Sequence, residues 1–236
     1  MNAFDDILGY EAALRFGSFA VVLLSLALAE RLSPLRGDAR PARRQLANLG
    51  MVLIDTVVLR LAFPLLAVSL ALQIDAHSGG LFGAMDAPMR VEILLALLLF
   101  DLAIYWQHRL LHAIPLLWPL HRVHHSDMSF DVTTGVRFHP VEIAFSMAIK
   151  LGLVAGLGPH PVAVMLFEVL LSASSLLTHA DFALPPRVDR ALRWLIVTPS
   201  MHRIHHSVRR EETDSNYSFN LSLWDRVFGS YRAQPL

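Results

Sequence analysis

The chain contains no cysteine. That absence excludes disulfides, iron–sulfur clusters, thiolate zinc sites and cysteine nucleophiles, so any metal chemistry has only nitrogen and oxygen ligands to use. Nor is there an excess of one charge: 20 basic residues balance 20 acidic ones. No basic patch with interleaved aromatics appears, and nucleic acid is not an expected partner. Charged residues are scarce altogether, 17% of 236 residues against 54% hydrophobic, and mean hydropathy is +0.47. That balance exceeds an ordinary soluble domain and reads as a membrane protein. The opening MNAFDDILGYEAALRF lacks the positive n-region and small-residue cleavage site of a secretory signal, so its apolar run reads as a retained anchor.

What the chain does have is long apolar runs, at roughly 10–30, 46–74, 91–107, 141–158 and 161–178. A helical span needs about 20 such residues. The prediction is therefore an all-α integral membrane bundle of four to five segments with a cytoplasmic histidine-rich helical cap. The last two runs are parted only by Gly158-Pro159-His160-Pro161, which predicts a tight helical hairpin. The second run carries Asp55, Arg60 and Pro64, and the fourth Lys150; charges are costly in lipid, so these predict a kink or an inward face.

Charge placement orients the set. Arg31, Arg36, Arg40, Arg43 and Arg44 lie between the first two runs, Arg109, Arg122 and Arg137 follow the third, and eight arginines from Arg187 to Arg232 follow the last. Arg15 and Arg90 lie at the opposite ends, with Arg60 and Lys150 inside runs. The positive-inside tendency puts the arginine-rich regions in the cytoplasm.

Ten of the twelve histidines fall at or just beyond those same ends. His77 and His160 fall in the opposite loops and read as ordinary surface or core residues. In HRLLH, His108 and His112 are four apart and share a helix face. HRVHH places His121 with His124 and His125, and HRIHH repeats the pattern with His202, His205 and His206. Each triad, if helical, offers two or three nitrogens to one point. His139 in RFHPVE and His179 in LLTHAD complete a set of ten. Ten imidazoles are too many for one metal; about five for each of two ions fills the shell and leaves room for oxygen or substrate. Imidazole suits iron, zinc and copper, and Asp101, Asp127, Glu142 and Asp181 are placed to accept the second ring N–H of a ligand. The Glu-x-x-His of soluble carboxylate-bridged di-iron bundles is missing, as are HExxH, GxSxG and a P-loop. Adjacent His-His pairs at the water boundary do not supply the facing single histidines of a bis-histidine haem.

HRLLH, HRVHHS, RFHPVE, TPSMHRIHHS and the following TDSNYSFNLSLWDRVFGSY, in that order, resemble the fatty acid hydroxylase/sterol desaturase superfamily of membrane non-haem di-iron enzymes. The resemblance covers roughly residues 95–232, and the first ninety match only as a generic anchor. It implies a single domain over 1–236, with anchor helices in 1–90 and a metal-binding catalytic part in 91–236. It implies two iron ions held by His108, His112, His121, His124, His125, His139, His179, His202, His205 and His206, with O2 as co-substrate. The implied reaction is oxidation of an unactivated C–H bond of a membrane lipid, sterol-like, isoprenoid or fatty acyl, to an alcohol or, by a second abstraction, an alkene. Some relatives carry a fused cytochrome b5 domain; without HPGG here, the expectation is a separate ferredoxin- or cytochrome b5-type electron donor. The stretch from Asn216 to Tyr231 is familiar from the family, but its aromatics read as packing rather than catalysis. The competing reading is a membrane metal-binding or transport protein without oxidase activity, which would place ligands near the bilayer midplane; a third is a family member that keeps metals for structure alone.

Overall fold

A computed structural model describes residues 7–37, 41–85 and 88–236; the predicted cytoplasmic Arg40 lies outside them. The described residues form helices and no strand. In chain order they are α1 (Glu11–Leu32), α2 (Ala42–Ala62), α3 (Ala67–Asp75), α4 (Gly80–Gly83), α5 (Met89–Ala113), α6 (Trp118–His125), a 3-10 turn (Val132–Val136), α7 (Pro140–Leu157), α8 (Pro161–His179), α9 (Pro186–Leu192), α10 (Pro199–His205), α11 (Arg210–Thr213) and α12 (Leu223–Val227).

Four stretches are long and apolar enough to cross a membrane: Glu11–Leu32, Ala42–Gly83, Pro140–Leu157 and Pro161–His179. The second predicted run does break near Pro64: α2 stops at Ala62, and α3 and α4 pack back against α7 and α8 rather than continuing the span. The third predicted run forms the 25-residue α5, which is not among the four. Its second half carries Asp101, Gln107, His108 and His112 into the interior, where α5 lies against α6, α7 and α8.

The predicted hairpin between the last two runs is present. Gly158 closes α7 with φ +59, and a Cβ there would lie 2.0 Å from the Gly79 carbonyl oxygen, so only glycine lets the two chains touch. Each arm of the hairpin starts the same way. Proline occupies the first helical position, where its missing N–H costs nothing, and the preceding histidine caps it: His139 Nδ1 accepts from Val141 N at 3.1 Å and His160 Nδ1 from Val162 N at 3.2 Å.

α8 is the central helix, touching α1, α3, α5, α10 and the 3-10 turn. Fully buried Ala67, Ala71, Ala96 and Ala163 let the helices approach closely, and Phe100 stacks on Phe167 at 5.1 Å. Between membrane helices such packing, rather than transfer out of water, supplies the attraction.

Buried polar bonds from the first two helices fix the histidine end. Glu30 of α1 accepts from the backbone of Val132 at 2.8 Å and of Asp181 at 2.6 Å. From α2, Arg44 bonds Asp127 at 2.5 Å and also Asp131, while Asn48 bonds Asp127 and Thr133. A helix pair expected as generic anchor thus clamps the loop between α6 and α7.

Candidate metal centre

Nine of the ten predicted histidines converge into two groups, His108, His112, His121, His125 and His205 in one and His124, His179, His202 and His206 in the other. Within each group one nitrogen per ring lies within 4.8 Å of every other. Each HxxHH triad offers two of its three rings to one point, the lower of the two expected numbers, and its third ring to the other. In each the i, i+4 pair shares a group (His121 with His125, His202 with His206) while the i+3 member joins the other group. The reason is helical geometry: successive residues are rotated by about 100°, so adjacent His124 and His125 must aim apart. His108 and His112, another i, i+4 pair, stay together as predicted.

The convergent atoms are Nε2. His108 and His121 place theirs 3.0 Å apart; His179 places its Nε2 2.9, 3.0 and 3.1 Å from those of His124, His202 and His206. Five of the opposite nitrogens are anchored. Nδ1 of His108 lies 2.7 Å from the Tyr217 carbonyl, that of His205 2.8 Å from Ser215 and that of His179 2.6 Å from Ser175. Nδ1 of His124 lies 3.3 Å from the Arg137 carbonyl and that of His121 2.8 Å from Glu142 Oε1.

These anchors assign protons. A carbonyl or carboxylate oxygen only accepts, so the facing Nδ1 carries the hydrogen and a neutral ring is left with a bare lone pair on Nε2. Five of the rings are held neutral: burial first, then neighbouring imidazoles, pushes His124, His125, His202, His205 and His206 well below the ordinary imidazole pKa. Lone pair therefore faces lone pair at 2.9 Å between His124 and His179. The Nε2 atoms of His112, His125 and His205 are buried with no hydrogen-bond partner at all. Such an arrangement is repulsive and costly unless a cation sits at each focus. A metal–imidazole bond of about 2.1 Å spaces adjacent ligand nitrogens at about 3.0 Å, the spacing seen here. The donor set thus fits two metal ions of the kind that bind nitrogen.

His139 does not join either group. Its Nδ1 is occupied in capping α7, and Pro140 fixes it at the helix mouth. Of the four acids expected behind the ligands, only Glu142 bonds a ligand ring. Asp101 instead accepts from Asn220 and Leu221 N and from Trp224 Nε1, Asp127 is held by Arg44, Asn48 and Thr134, and Asp181 lies 3.6 Å from Arg36 and Arg203. Backbone carbonyls do the work given to those acids, and no side-chain pattern announces them.

The C-terminal stretch is built as expected, by packing and hydrogen bonds. Asn216 takes φ +52 and its side chain bonds the carbonyls of Met201 and Arg232. Asp225 accepts from the backbone of Tyr217 and Ser218 and from Ser230. This frame presents the Ser215 and Tyr217 carbonyls to His205 and His108. Gly135 keeps the other side tight: a Cβ there would lie 2.6 Å from the Ser175 oxygen and 3.3 Å from His179 Nδ1.

The family model for fatty acid hydroxylase matches residues 93–230, which include every histidine of both groups. The chain belongs to the fatty acid hydroxylase family. Among its curated relatives, alkylglycerol monooxygenase of Xenopus tropicalis is 33% identical over 131 residues, 56% of this chain and 28% of that protein. Ornithine lipid hydroxylase OlsE of Rhizobium tropici is 32% identical over 149 residues, 63% of this chain and 44% of that protein. A cholesterol 25-hydroxylase-like protein of Danio rerio is 30% identical over 143 residues, 59% of this chain and 55% of that protein. The matched part thus spans less than half of the first two relatives. No solved structure matches the chain.

In this multi-pass membrane protein the five-histidine group abuts a cavity inside the helix bundle. It measures about 350 Å³ and is walled by Phe19, Leu59, Ile104, Leu111, Ile143, Leu171 and Phe219, with His108, His121 and Glu142 at one end. Farther along, Lys150 bonds Glu168 at 2.5 Å, and Arg15 lies 3.1 Å from the same carboxylate. Of the charges in the second and fourth predicted runs, Asp55 and Lys150 face this interior, whereas Arg60 is exposed.

Proposed function

We propose that this fatty acid hydroxylase family chain oxidises a C–H bond of a membrane lipid with O2, giving an alcohol or an alkene, at two irons held by the nine gathered histidines. The observation that carries the proposal is the junction of a mostly apolar cavity inside the helix bundle with the gathered imidazole nitrogens. Irons bound there would supply the reductive activation of O2 that an unactivated C–H bond requires. The chain's own part is positional. Carbonyls of Ser175, Arg137, Ser215 and Tyr217 hold the protons on Nδ1 and keep Nε2 free. Glu142 adds a negative charge behind His121. Phe219, Ile104 and Leu111 line the wall beside His108 and exclude water from the reacting carbon.

The relatives, a monooxygenase of alkylglycerol and hydroxylases of lipid or sterol type, point to the same class. The substrate is proposed to be a sterol-like, isoprenoid or fatty acyl lipid, with electrons from a separate ferredoxin- or cytochrome b5-type donor on the cytoplasmic face. The transport reading is disfavoured because both histidine groups lie together at one end of the bundle, where α5, α8 and the α6 and α10 caps meet.

Metal analysis and Mössbauer spectroscopy on anaerobically purified protein test the proposal, with His124→Ala and His205→Ala alongside wild type. About two irons per chain in a coupled pair, lowered in both variants, followed by an O2-dependent change in a lipid extract, is the expected result. A chain that takes up only zinc and gives no O2-reactive centre after iron reconstitution refutes it.

A further inference from the structure

Of the nine gathered histidines, His112, His125 and His206 are the partly buried residues, although the His112 side chain is itself buried at 1% exposure. His125 belongs to one group and His206 to the other, and they stack with centroids 4.2 Å apart and planes 14° apart. Two surface depressions of about 570 and 550 Å³ meet at this stack, both lined by His125, His206, Ser207 and Val208. Rings of both groups therefore come to the surface at one place. Two apolar side chains stand unpacked beside it, Met128 at 93% exposure and Val208 at 102%.

The charge around that place is one-sided at the surface. Residues 105–139 and 180–236 hold eleven arginines against eight acids, and folding hides the acids preferentially. Asp131, Asp181, Glu212 and Asp225 are buried, each engaged in bonds that hold the cap. Exposed acids are Glu211 and Asp214; exposed arginines are Arg122, Arg187, Arg190, Arg209 and Arg210. Arg122 and Arg210 line the depression next to His125 and His206, and Arg209 adjoins Val208. Among the described residues Arg122 makes no ion pair, and Arg210 is shared only with Asp214 on its own turn.

The geometry points to this surface, centred on the His125–His206 stack and rimmed by Arg122, Arg209 and Arg210, as the docking face for an acidic one-electron carrier protein. The inference rests on the oxidase reading, since a carrier is needed only if the site is reduced during turnover. Charge fixes the occupant's chemistry. A basic rim accelerates encounter with an acidic partner and rejects a basic one. The apolar Met128 and Val208 supply the small dry centre of a transient contact, while the stack presents ring edges of both histidine groups to whatever docks.

The test measures binding rather than turnover, on the zinc-loaded full chain in nanodiscs with an acidic plant-type ferredoxin, the soluble domain of cytochrome b5 and, as basic control, cytochrome c. Expected is binding of an acidic carrier that weakens steeply with added salt, about tenfold further weakening by Arg122→Glu and a comparable loss by Val208→Asp. Arg187→Glu with Arg190→Glu, on exposed arginines that line neither depression, should leave Kd within about twofold. Equal binding of cytochrome c, no effect of Arg122→Glu, or loss confined to the Arg187 and Arg190 pair overturns the inference. No zinc-loaded binding by either acidic carrier overturns it as well. Because no oxidation is read, a chain that docks carriers here yet oxidises no lipid keeps the docking face and refutes the oxidase reading instead.

Discussion

Glu142→Gln isolates the electrostatics of the site without changing its shape. The Glu142 carboxylate is the one acidic side chain hydrogen-bonded to a gathered ring, 2.8 Å from His121 Nδ1, with both side chains about 95% buried or more, at 3% and 4% exposure. The glutamine oxygen can still accept from Nδ1, so the tautomer survives and only the charge is lost. Removing such a carboxylate typically costs 10–100-fold in metal affinity, or about 1.4–2.8 kcal/mol. That range agrees with the roughly 1.5–3 kcal/mol assigned to a hydrogen bond with a charged group. His121 serves only the five-histidine group, so the loss should fall on one ion. Stepwise chelator titration of purified protein, with metals counted by mass spectrometry, should show one ion leaving at 10–100-fold less chelator and the other leaving as in wild type. If both ions shift equally, or neither shifts, Glu142 does not tune one site and the assignment of His121 is wrong.

His139→Asn, which can still cap α7, should leave metal content unchanged, whereas His124→Ala should lower it; a fall in His139→Asn would restore His139 as a ligand. Gly135→Ala forces a methyl to 2.6 Å from the Ser175 carbonyl. Overpacking of about 1–3 kcal/mol should lower Tm by several degrees, by about 2–4 °C per kcal/mol in a chain this size, and thermal melts in detergent check it. Metal-free protein should lose stability in acid. The rings of His124, His202, His205 and His206 are held below their ordinary pKa by burial, so below about pH 6.5 the unfolded chain takes protons that the folded chain refuses. Each ring then costs up to about 1.4 kcal/mol per pH unit, and a Tm flat from pH 7 to 5 would contradict the buried neutral cluster.

The sequence carried the helices because spans and capped hairpins leave strong local signals, and it carried the gathering of the site because three close-spaced histidine patterns are rare. It misplaced what depends on the third dimension. His139 and His160 both stand before Pro-Val, and both turn out to be helix caps; that shared triplet was the available signal that His139 is local structure. Division of each HxxHH between two foci follows from the 100° helical step, but only once α6 and α10 are known to face each other across the same pair of foci. The anchors on Nδ1 were illegible because Ser175, Arg137, Ser215 and Tyr217 contribute main-chain oxygens, which every residue possesses. Glu30, Arg44 and Asn48 went unread as supports since their partners lie some 80 to 150 residues onward.

Since each histidine group draws on both α6 and the α10 segment, neither focus exists in a partial chain. His205 and His206 are synthesised after α1, α2, α5, α7 and α8. The earlier helices must accordingly find their places before either focus is complete, and metal loading would be a finishing step that recruits the ligands of both foci together. The same interleaving couples the two foci: a change that displaces α6 or α10 as a whole moves donors of both at once.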